Sequence, residues 1–330
     1  MTELVASGPA AAMTLLAAAF VLVCGANDGG AMLALAVRHR EVPPYVLLAV
    51  LLTATVLGPT LFGLAVARTF TERLIGSGQA RGPLVVFAGV AVALLLVLVL
   101  NWRGVPTSTT LAVLGAIAGV AAGIGADTAW ATLGVVLLVA GAAPLIGGGL
   151  GVLFGVVARR LPTYSRLPAV MRLAHLAAFC GQSLAYAAND GQKIYAVAGV
   201  ALAAAHDAAG LRPPAWPALV GLAVLFGLGA VASLRRIARG ALFGLLPFRP
   251  GRLVSAELAA ATTVLATGAA GMPVSMTQAM AGGLAGAGAS QGVRRVRWQF
   301  ALPVMAAWLV TLPISLAVGV GVGLLLRAVR

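Results

Sequence analysis

Long apolar runs recur along the whole chain and limit what it can fold into. One of them, PLVVFAGVAVALLLVLVL, has no charged side chain over 18 residues. A helix of about 20 apolar residues crosses a hydrocarbon core of about 30 Å. Only 9% of the residues are charged and the mean hydropathy is +1.03, whereas soluble domains carry about 25% charged residues. The sequence therefore predicts an all-α polytopic membrane protein with roughly ten hydrophobic segments.

The positive charge is concentrated between the apolar runs. Lys and Arg number 22 against eight Asp and Glu, which gives a formal net charge of +14. Four arginine-rich stretches hold much of it: RRLPTYSRLPAVMR (159–172), RRIARG (235–240), FRPGR (248–252) and RRVR (294–297). An excess of Lys and Arg in loops is typical of the cytoplasmic side of a membrane. We interpret these clusters as a topology signal and not as a surface for anions or nucleic acid.

Two polar motifs occur twice and in the same order. Asn27-Asp28-Gly29 recurs 162 residues later as Asn189-Asp190-Gly191. GVPTSTT (104–110) recurs 167 residues later as GMPVSMT (271–277). The matched order and spacing indicate an internal duplication, which is common in secondary transporters.

The duplication divides the chain into two halves. We assign the first membrane repeat to 1–158, a basic cytoplasmic linker to 159–172 and the second membrane repeat to 173–330. Repeats in secondary transporters are often inverted and contain broken helices near the bilayer centre. We expect two inverted repeats with broken helices here.

Three of the eight acidic residues, Asp28, Asp190 and Glu257, fall inside apolar segments. Each costs about 2.5–3.5 kcal/mol at the centre of a membrane helix, and a cation or polar ligand is the usual compensation. The glycines beside Asp28 predict a locally unwound helix whose carbonyls bind a cation and whose following N–H groups face an anion. A turn at the membrane surface is the alternative. Because the Asn-Asp motif occurs twice and each copy lies inside an apolar run, we favour a binding site over a surface turn.

PTSTT (106–110) and PVSMT (273–277) have the pattern of helix starts. Proline is favoured in a first helical turn, and the hydroxyls and free N–H groups there form a donor cluster for a tetrahedral oxyanion. Ordinary N-capping by Ser or Thr is the alternative. Donors for an anion and carboxylates for cations together predict one central site.

Lys193 is the only lysine in the chain and follows the second Asn-Asp-Gly-Gln directly. It could neutralise Asp190, bind the anion or extend its amine to the membrane interface. We favour a pairing or substrate role and assign Gln192 to the same site. His175 is interpreted as a residue that opens a helix, and no metal cluster or disulfide framework is expected from the two cysteines.

These motifs resemble those of the inorganic phosphate transporter (PiT) family, the low-affinity phosphate permeases. The resemblance lies in GAND (25–28), ANDGQK (188–193), VPTSTT (105–110), SAELAAATTVLATGAAGMPVSMT (255–277) and WQFALPVMAAWLVTLPIS (298–315). It spans both halves of the chain. It implies two inverted repeats that carry phosphate together with Na⁺ or H⁺, and the similarity to bacterial members favours H⁺.

The resemblance also implies which residues form the site. The residues expected to contact phosphate, with Gln192 and Lys193 added from their position, are Asp28, Asp190, Ser108, Thr109, Thr110, Ser275, Thr277, Gln192 and Lys193. The residues expected to bind cations are Asn27, Asp28, Asn189, Asp190 and Glu257. Sodium, if it is the coupling ion, would bind at Asn27, Asp28, Asn189 and Asp190.

Some positions depart from the family pattern. The family's STTH is STTL at 108–111 and SMTQ at 275–278, and Thr55 aligns with a glutamate of the first repeat. A sulfate or other oxyanion permease is therefore the alternative, and an intramembrane aspartyl protease and an ion channel are remote ones. We expect a transporter and not an enzyme, in the bacterial cytoplasmic membrane. Inorganic phosphate and the bilayer are the expected partners, nucleic acid is not, and a homodimer is one allowed assembly.

Overall fold

The computed structural model describes residues 2–74, 82–102, 107–160, 167–205, 214–238 and 249–329. Within these ranges the chain forms thirteen α-helices. They are α1 (Thr2–Cys24), α2 (Gly30–Ala36), α3 (Pro44–Phe62), α4 (Ala65–Arg68), α5 (Gly82–Trp102), α6 (Thr109–Ile124), α7 (Trp130–Arg160), α8 (Leu167–Ala188), α9 (Gln192–Ala205), α10 (Trp216–Ile237), α11 (Pro250–Ala269), α12 (Met276–Ala289) and α13 (Trp298–Ala328). Part of the predicted basic linker, 161–166, and the proline of the first Ser/Thr motif, Pro106, lie outside the described residues.

Six stretches of the described residues are helical, long and apolar enough to cross a bilayer. They are Ala11–Ala36, Pro44–Phe62, Gly82–Asn101, Trp130–Arg160, Trp216–Ile237 and Trp298–Ala328. Their outer faces expose large apolar side chains such as Leu138 and Leu309, which suits a lipid environment. The prediction of an all-helical chain that spans the membrane several times is confirmed, whereas the count of ten hydrophobic segments stays a prediction.

Glycines spaced four residues apart bring long helices together in pairs. Gly115, Gly119 and Gly123 of α6 face α13 so closely that a Cβ at each would meet backbone atoms of that helix. Gly151 of α7 meets the carbonyl of Gly283 on α12 in the same way. Small residues at this spacing are typical of membrane helix contacts. Helix α6 therefore packs along α13, and α12 packs along α7.

The first Asn-Asp-Gly motif does not unwind its helix. Gly25–Gly29 forms one π-helical turn between α1 and α2, with helical dihedral angles at both ends. The glycines make room for α10, since a Cβ at Gly25 would overlap the carbonyl of Phe226 and one at Gly29 would lie 2.7 Å from the ring of Phe226. The expected unwound segment with cation-binding carbonyls is therefore wrong for this copy. The π turn instead sets the direction of Asp28 by a local change of helical pitch.

The second copy does break its helix. Asn189-Asp190-Gly191 forms a turn between α8 and α9, in which the Gly191 N–H donates to the carbonyl of Tyr186 over 2.7 Å. The two aspartates thus lie close together, although the first is on a π-helical turn and the second is on a break between two helices. The aspartates lie where α1–α2, α6, α8–α9 and α12 meet.

Candidate functional site

The two motif aspartates come together around Lys193. Its Nζ lies 2.7 Å from Asp28 Oδ2 and 2.5 Å from Asp190 Oδ1. Asp28 and Lys193 are 0% exposed and Asp190 is 1% exposed. Two carboxylates and one ammonium give this buried group a formal charge of −1. Lys193 is therefore paired with both acids in this structure, whereas its expected contact with the anion stays a prediction.

The start of α6 supplies hydroxyl donors to both aspartates. Thr109 Oγ1 lies 3.2 Å from Asp28 Oδ2, and Thr110 Oγ1 donates a short hydrogen bond to Asp190 Oδ1. Lys193 Nζ is also 3.3 Å from Thr110 Oγ1. Ser108 is the N-cap of the helix, where its Oγ accepts from the N–H of Leu111 at 3.3 Å. The predicted helix start is confirmed, and it is one wall of the site.

The start of α12 supplies the opposite wall. The N–H of Met276 donates to Asp190 Oδ2 over 2.9 Å. Ser275 is the N-cap, and its Oγ lies 2.9 Å from Thr277 Oγ1. A helix N-terminus carries partial positive charge, so it stabilises the Asp190 carboxylate and would equally attract an anion.

Asn27 extends the cluster toward α13. Its Nδ2 donates to Asp28 Oδ1 at 2.9 Å and reaches the carbonyl of Thr107 at 3.4 Å. The hydroxyl of Thr107 in turn pairs with that of Thr311 at 3.0 Å. Asn27 is partly buried and fixes the rotamer of the neighbouring carboxylate.

Asn189 ties the second motif to the segment between α11 and α12. Its Nδ2 lies 2.9 Å from the carbonyl of Val264, 2.9 Å from Thr267 Oγ1 and 3.1 Å from the carbonyl of Met272. Its Oδ1 accepts from the N–H of Val274 at 3.1 Å. These bonds hold the start of α12 beside Asp190. In this conformation Asn189 is a positioning residue.

Gln192 does not point at the aspartates. Its Oε1 accepts from the N–H groups of Val66 and Ala67, both at 3.0 Å, at the start of α4. Its Nε2 donates to the carbonyl of Ala188 at 2.7 Å. Both ends of the amide are thus occupied by backbone groups, and the expected contact of Gln192 with the anion stays a prediction.

Glu257 belongs to a separate cluster. Its Oε2 lies 2.9 Å from Nδ1 of His175, and the ring of His175 stacks on that of His39 with centroids 4.7 Å apart. Glu257 precedes Val264, whose carbonyl contacts the second motif, by seven residues, or about 10 Å along α11. The structure therefore separates Glu257 from the aspartate pair.

The histidine cluster was missed at the level of sequence. His175 lies within α8 and not at its start, and it is fully buried. His39 lies in the turn after α2, where burial and the neighbouring His175 lower the pKa of His39. The position of His175 inside an apolar helix was the sequence feature that could have revealed its pairing with Glu257. The hydrogen bond from the N–H of Met276 to Asp190 could not be predicted in this way, because every non-proline residue carries a backbone N–H.

The chain is similar to known transporters along almost its whole length. The sequence model described as the phosphate transporter family matches residues 24–168 and 162–319. A probable low-affinity inorganic phosphate transporter of Bacillus subtilis (strain 168) is 26% identical, over 92% of both chains. A protein of the same description from Mycobacterium tuberculosis (strain ATCC 25618 / H37Rv) is 29% identical, over 92% of this chain and 74% of the relative.

A solved structure described as "The sodium-dependent phosphate transporter" has a similar fold. It superimposes with a TM-score of 0.79 over 100% of both chains, at 19% sequence identity. At that identity the likeness concerns the fold alone. The two chains therefore share their overall arrangement of helices.

Proposed function

This chain belongs to the phosphate transporter family, and from that premise we propose that it carries inorganic phosphate across the membrane together with H⁺ or Na⁺. Its relatives are transporters and not enzymes, so the aspartyl protease is set aside. Its apolar helices make it a multi-pass membrane protein, and its bacterial relatives support the cytoplasmic membrane as its location.

The buried group formed by Asp28, Asp190 and Lys193 is the observation that carries the proposal. Its formal charge of −1 is unfavourable inside a bilayer, where charged side chains are normally neutralised by partners. One H⁺ or Na⁺ brings the charge to zero. Phosphate is itself an anion and is repelled until that cation has arrived. Binding in this order couples the movement of the two solutes.

Donors for phosphate surround the same group. The aspartates accept hydrogen bonds from Lys193, Thr109 and Thr110. A carboxylate neutralised by a cation would accept more weakly, so these donors could bind an anion instead. Ser275 and Thr277 stand at the N-terminus of α12, which already points an N–H group at Asp190. Charge-assisted bonds of this kind are the strong ones in phosphate recognition.

We further propose alternating access by two inverted repeats. The polar motifs recur in the same order, and the family model matches two successive segments. The helix pairs also support it: α6 of the first half packs along α13 of the second, and α12, the counterpart of α6, packs along α7, the counterpart of α13. Rocking of repeat-related halves around a central site is the usual mechanism of such folds.

Uptake of labelled phosphate into proteoliposomes under imposed Na⁺ or pH gradients tests the proposal. We expect one gradient to drive accumulation, and Asp28→Asn and Asp190→Asn to abolish it. Asp127→Asn is the matched control, because Asp127 is exposed between α6 and α7 and should leave uptake unchanged. Full uptake by both site variants would contradict the assignment.

Two further measurements separate the alternatives. An excess of unlabelled sulfate should leave phosphate uptake intact, and strong competition would favour the wider oxyanion permease. Counterflow should accelerate exchange, since a carrier exchanges bound substrate and a channel does not.

A further inference from the structure

A second group of buried titratable side chains lies apart from the aspartate site. Glu257 of α11 and His175 of α8 meet over 2.9 Å between Oε2 and Nδ1, and the ring of His39 stacks on that of His175 with centroids 4.7 Å apart. None of these three residues is more than 4% exposed. About 10 Å of α11 separates Glu257 from Val264, whose carbonyl contacts the second motif. The group is therefore buried and distinct from the aspartates.

The contact between Glu257 and His175 needs a proton between the two atoms. An ionised carboxylate has only acceptor oxygens, and a neutral imidazole has one nitrogen that donates and one that accepts. If the pair holds one proton beyond those of a carboxylate and a neutral imidazole, it is uncharged, whether that proton is nearer to oxygen or to nitrogen. Without this proton the pair has a charge of −1 out of water, which is costly. Burial therefore favours one bound proton on the pair.

The group is incompletely satisfied, which is unfavourable for packing alone. Glu257 Oε1 is buried and has no hydrogen-bond partner among the described residues, and the same is true of both ring nitrogens of His39. Apolar side chains of the same size would avoid the cost of these unpaired atoms. Because most buried polar groups in proteins are paired, such exceptions indicate a role other than folding.

A cavity of about 640 Å³ lies against this group at one end of the helices. It is lined by His39 with the exposed Arg40 and Glu41, so it opens to water. Met171 and Pro250, from the arginine-rich stretches 159–172 and 248–252, also border it. His39 borders the cavity and contacts His175, and it therefore lies between water and the pair.

Few other charges surround the pair. Helix α3, which packs along α8, has only the exposed Tyr45 as a titratable residue, and α12, which packs on α11, has no charged residue. The arginines that end α7 and α10 are exposed. The other titratable residues on the adjoining elements are Arg172 and Cys180 of α8, Arg252 of α11, and Arg38, Arg40 and Glu41 of the turn after α2.

His39 does not compete for the proton near neutral pH. Burial lowers the pKa of His39, the neighbouring His175 lowers it further, and Glu41 opposes these two effects. The ring of His39 therefore remains neutral and serves as a wall beside the pair.

The chemistry of the pair favours a proton over a metal cation. Hard cations bind through several oxygens, whereas His175 places a ring nitrogen against the carboxylate of Glu257. In the part of the chain that the structure describes, no group of three or more His, Cys, Asp or Glu residues could hold a metal ion. A proton needs only the two atoms that are already in contact.

We propose that His175 and Glu257 form a second cation site, which binds one H⁺ and releases it into the cavity beside His39 in each transport cycle. Binding changes the charge of the pair from −1 to zero, and release restores it. The proposal rests on the proposed symport of phosphate and adds a proton to the cation bound at the aspartates. His175 is the residue that makes this site specific for H⁺.

Gradient-driven uptake and counterflow of phosphate in proteoliposomes together test the proposal. Glu257→Gln keeps the size of the side chain and an amide that can contact His175, but it has no proton to release. Net uptake driven by a pH gradient requires release of H⁺ in each cycle, so this variant should lose it. Counterflow returns the loaded protein without that release, so the variant should retain it.

The pH dependence of uptake tests the role of His175. An amide is a far weaker base than an imidazole, so His175→Gln should bind the proton less tightly together with Glu257. The pH above which uptake is lost should therefore fall by at least about one unit relative to the wild-type protein. Titration of phosphate itself affects all proteins equally.

His39→Phe is the matched control. It keeps a ring stacked on His175 and removes two nitrogens that have no partner among the described residues, so it should fold. The hydrogen bond between His175 and Glu257 remains, and the pH above which uptake is lost should equal that of the wild-type protein.

Three results would overturn the proposal and leave phosphate transport itself intact. They are wild-type uptake driven by a Na⁺ gradient alone, full pH-driven uptake by Glu257→Gln, and an equal pH limit in His175→Gln and His39→Phe. Loss of both uptake and counterflow is the result expected of Asp28→Asn, and in a folded Glu257→Gln protein it would likewise contradict a proton site. If Glu257→Gln does not fold, the comparison of His175→Gln with His39→Phe decides. Absence of phosphate uptake by the wild-type protein would instead refute the proposed function.

Discussion

Replacing Lys193 with methionine should be the most damaging single change at the aspartate site. The ammonium bridges Asp28 and Asp190 over 2.7 Å and 2.5 Å and is fully buried. Methionine fills a similar length without charge, so the formal charge of the group changes from −1 to −2. Two carboxylates then face each other without a fixed cation between them.

The size of the effect follows from the contacts. A hydrogen bond between charged groups contributes about 1.5–3 kcal/mol, and removal of one partner from a buried ion pair costs about 3–5 kcal/mol. We expect Lys193→Met to lose about 3–5 kcal/mol of stability. Asp28→Asn, in contrast, brings the formal charge to zero and should cost far less. The double variant Lys193→Met/Asp28→Asn returns the charge to −1 and should recover about 0.5–3 kcal/mol of the loss.

The assay is unfolding of the four proteins in mixed micelles, which gives the coupling free energy between the two positions. Unpartnered buried carboxylates bind protons more readily in the folded state than in the unfolded state. The deficit of Lys193→Met should therefore shrink as the pH falls. The reasoning fails if Lys193→Met is as stable as Asp28→Asn, or if the double variant is less stable than Lys193→Met.

Three further changes test other parts of the structure by the same unfolding measurement. Gly25→Ala should destabilise the protein by about 1–3 kcal/mol, because the added Cβ would overlap α10. The control Gly221→Ala has open space around it and should leave the stability unchanged. Equal effects of the two substitutions would contradict the packing argument. Asn189→Ala should lower the free energy of unfolding by at least about 1–3 kcal/mol, because it leaves the N–H of Val274 without its acceptor. It should also lower phosphate uptake, and unchanged uptake would contradict a positioning role for Asn189. His175→Leu should cost about 1–3 kcal/mol because it leaves Glu257 Oε2 without its hydrogen-bond partner. Adding Glu257→Leu should restore part of the loss, and no recovery would argue against the pairing of these two side chains.

Much of the architecture follows from the sequence because its causes are local or compositional. Apolar runs of bilayer length predict membrane helices wherever they occur in the chain. The helix starts at Ser108 and Ser275 follow from capping residues within one turn. The repeated Asn-Asp motifs and their resemblance to a transporter family indicate two intramembrane acids that need a partner.

The partners themselves were decided by tertiary structure. Lys193 had three possible roles in the sequence, and its pairing with both acids depends on the approach of Asp28 from 165 residues away. Gly25 was expected to unwind a helix, but the crossing of α10 gives it a packing role. Glu257 was grouped with the aspartates by its chemistry, although about 10 Å of helix separates it from the nearest residue of α11 that contacts the second motif.

The arginine clusters follow the same division. Their number and place between apolar runs are readable from the sequence, and they indicate a side of the membrane. That two of them, 159–172 and 248–252, border one cavity beside His39 depends on how α8 and α11 begin next to one another. Burial and charge compensation are properties of neighbours in space, and in a helical membrane protein those neighbours come from distant segments whose contacts no local pattern records.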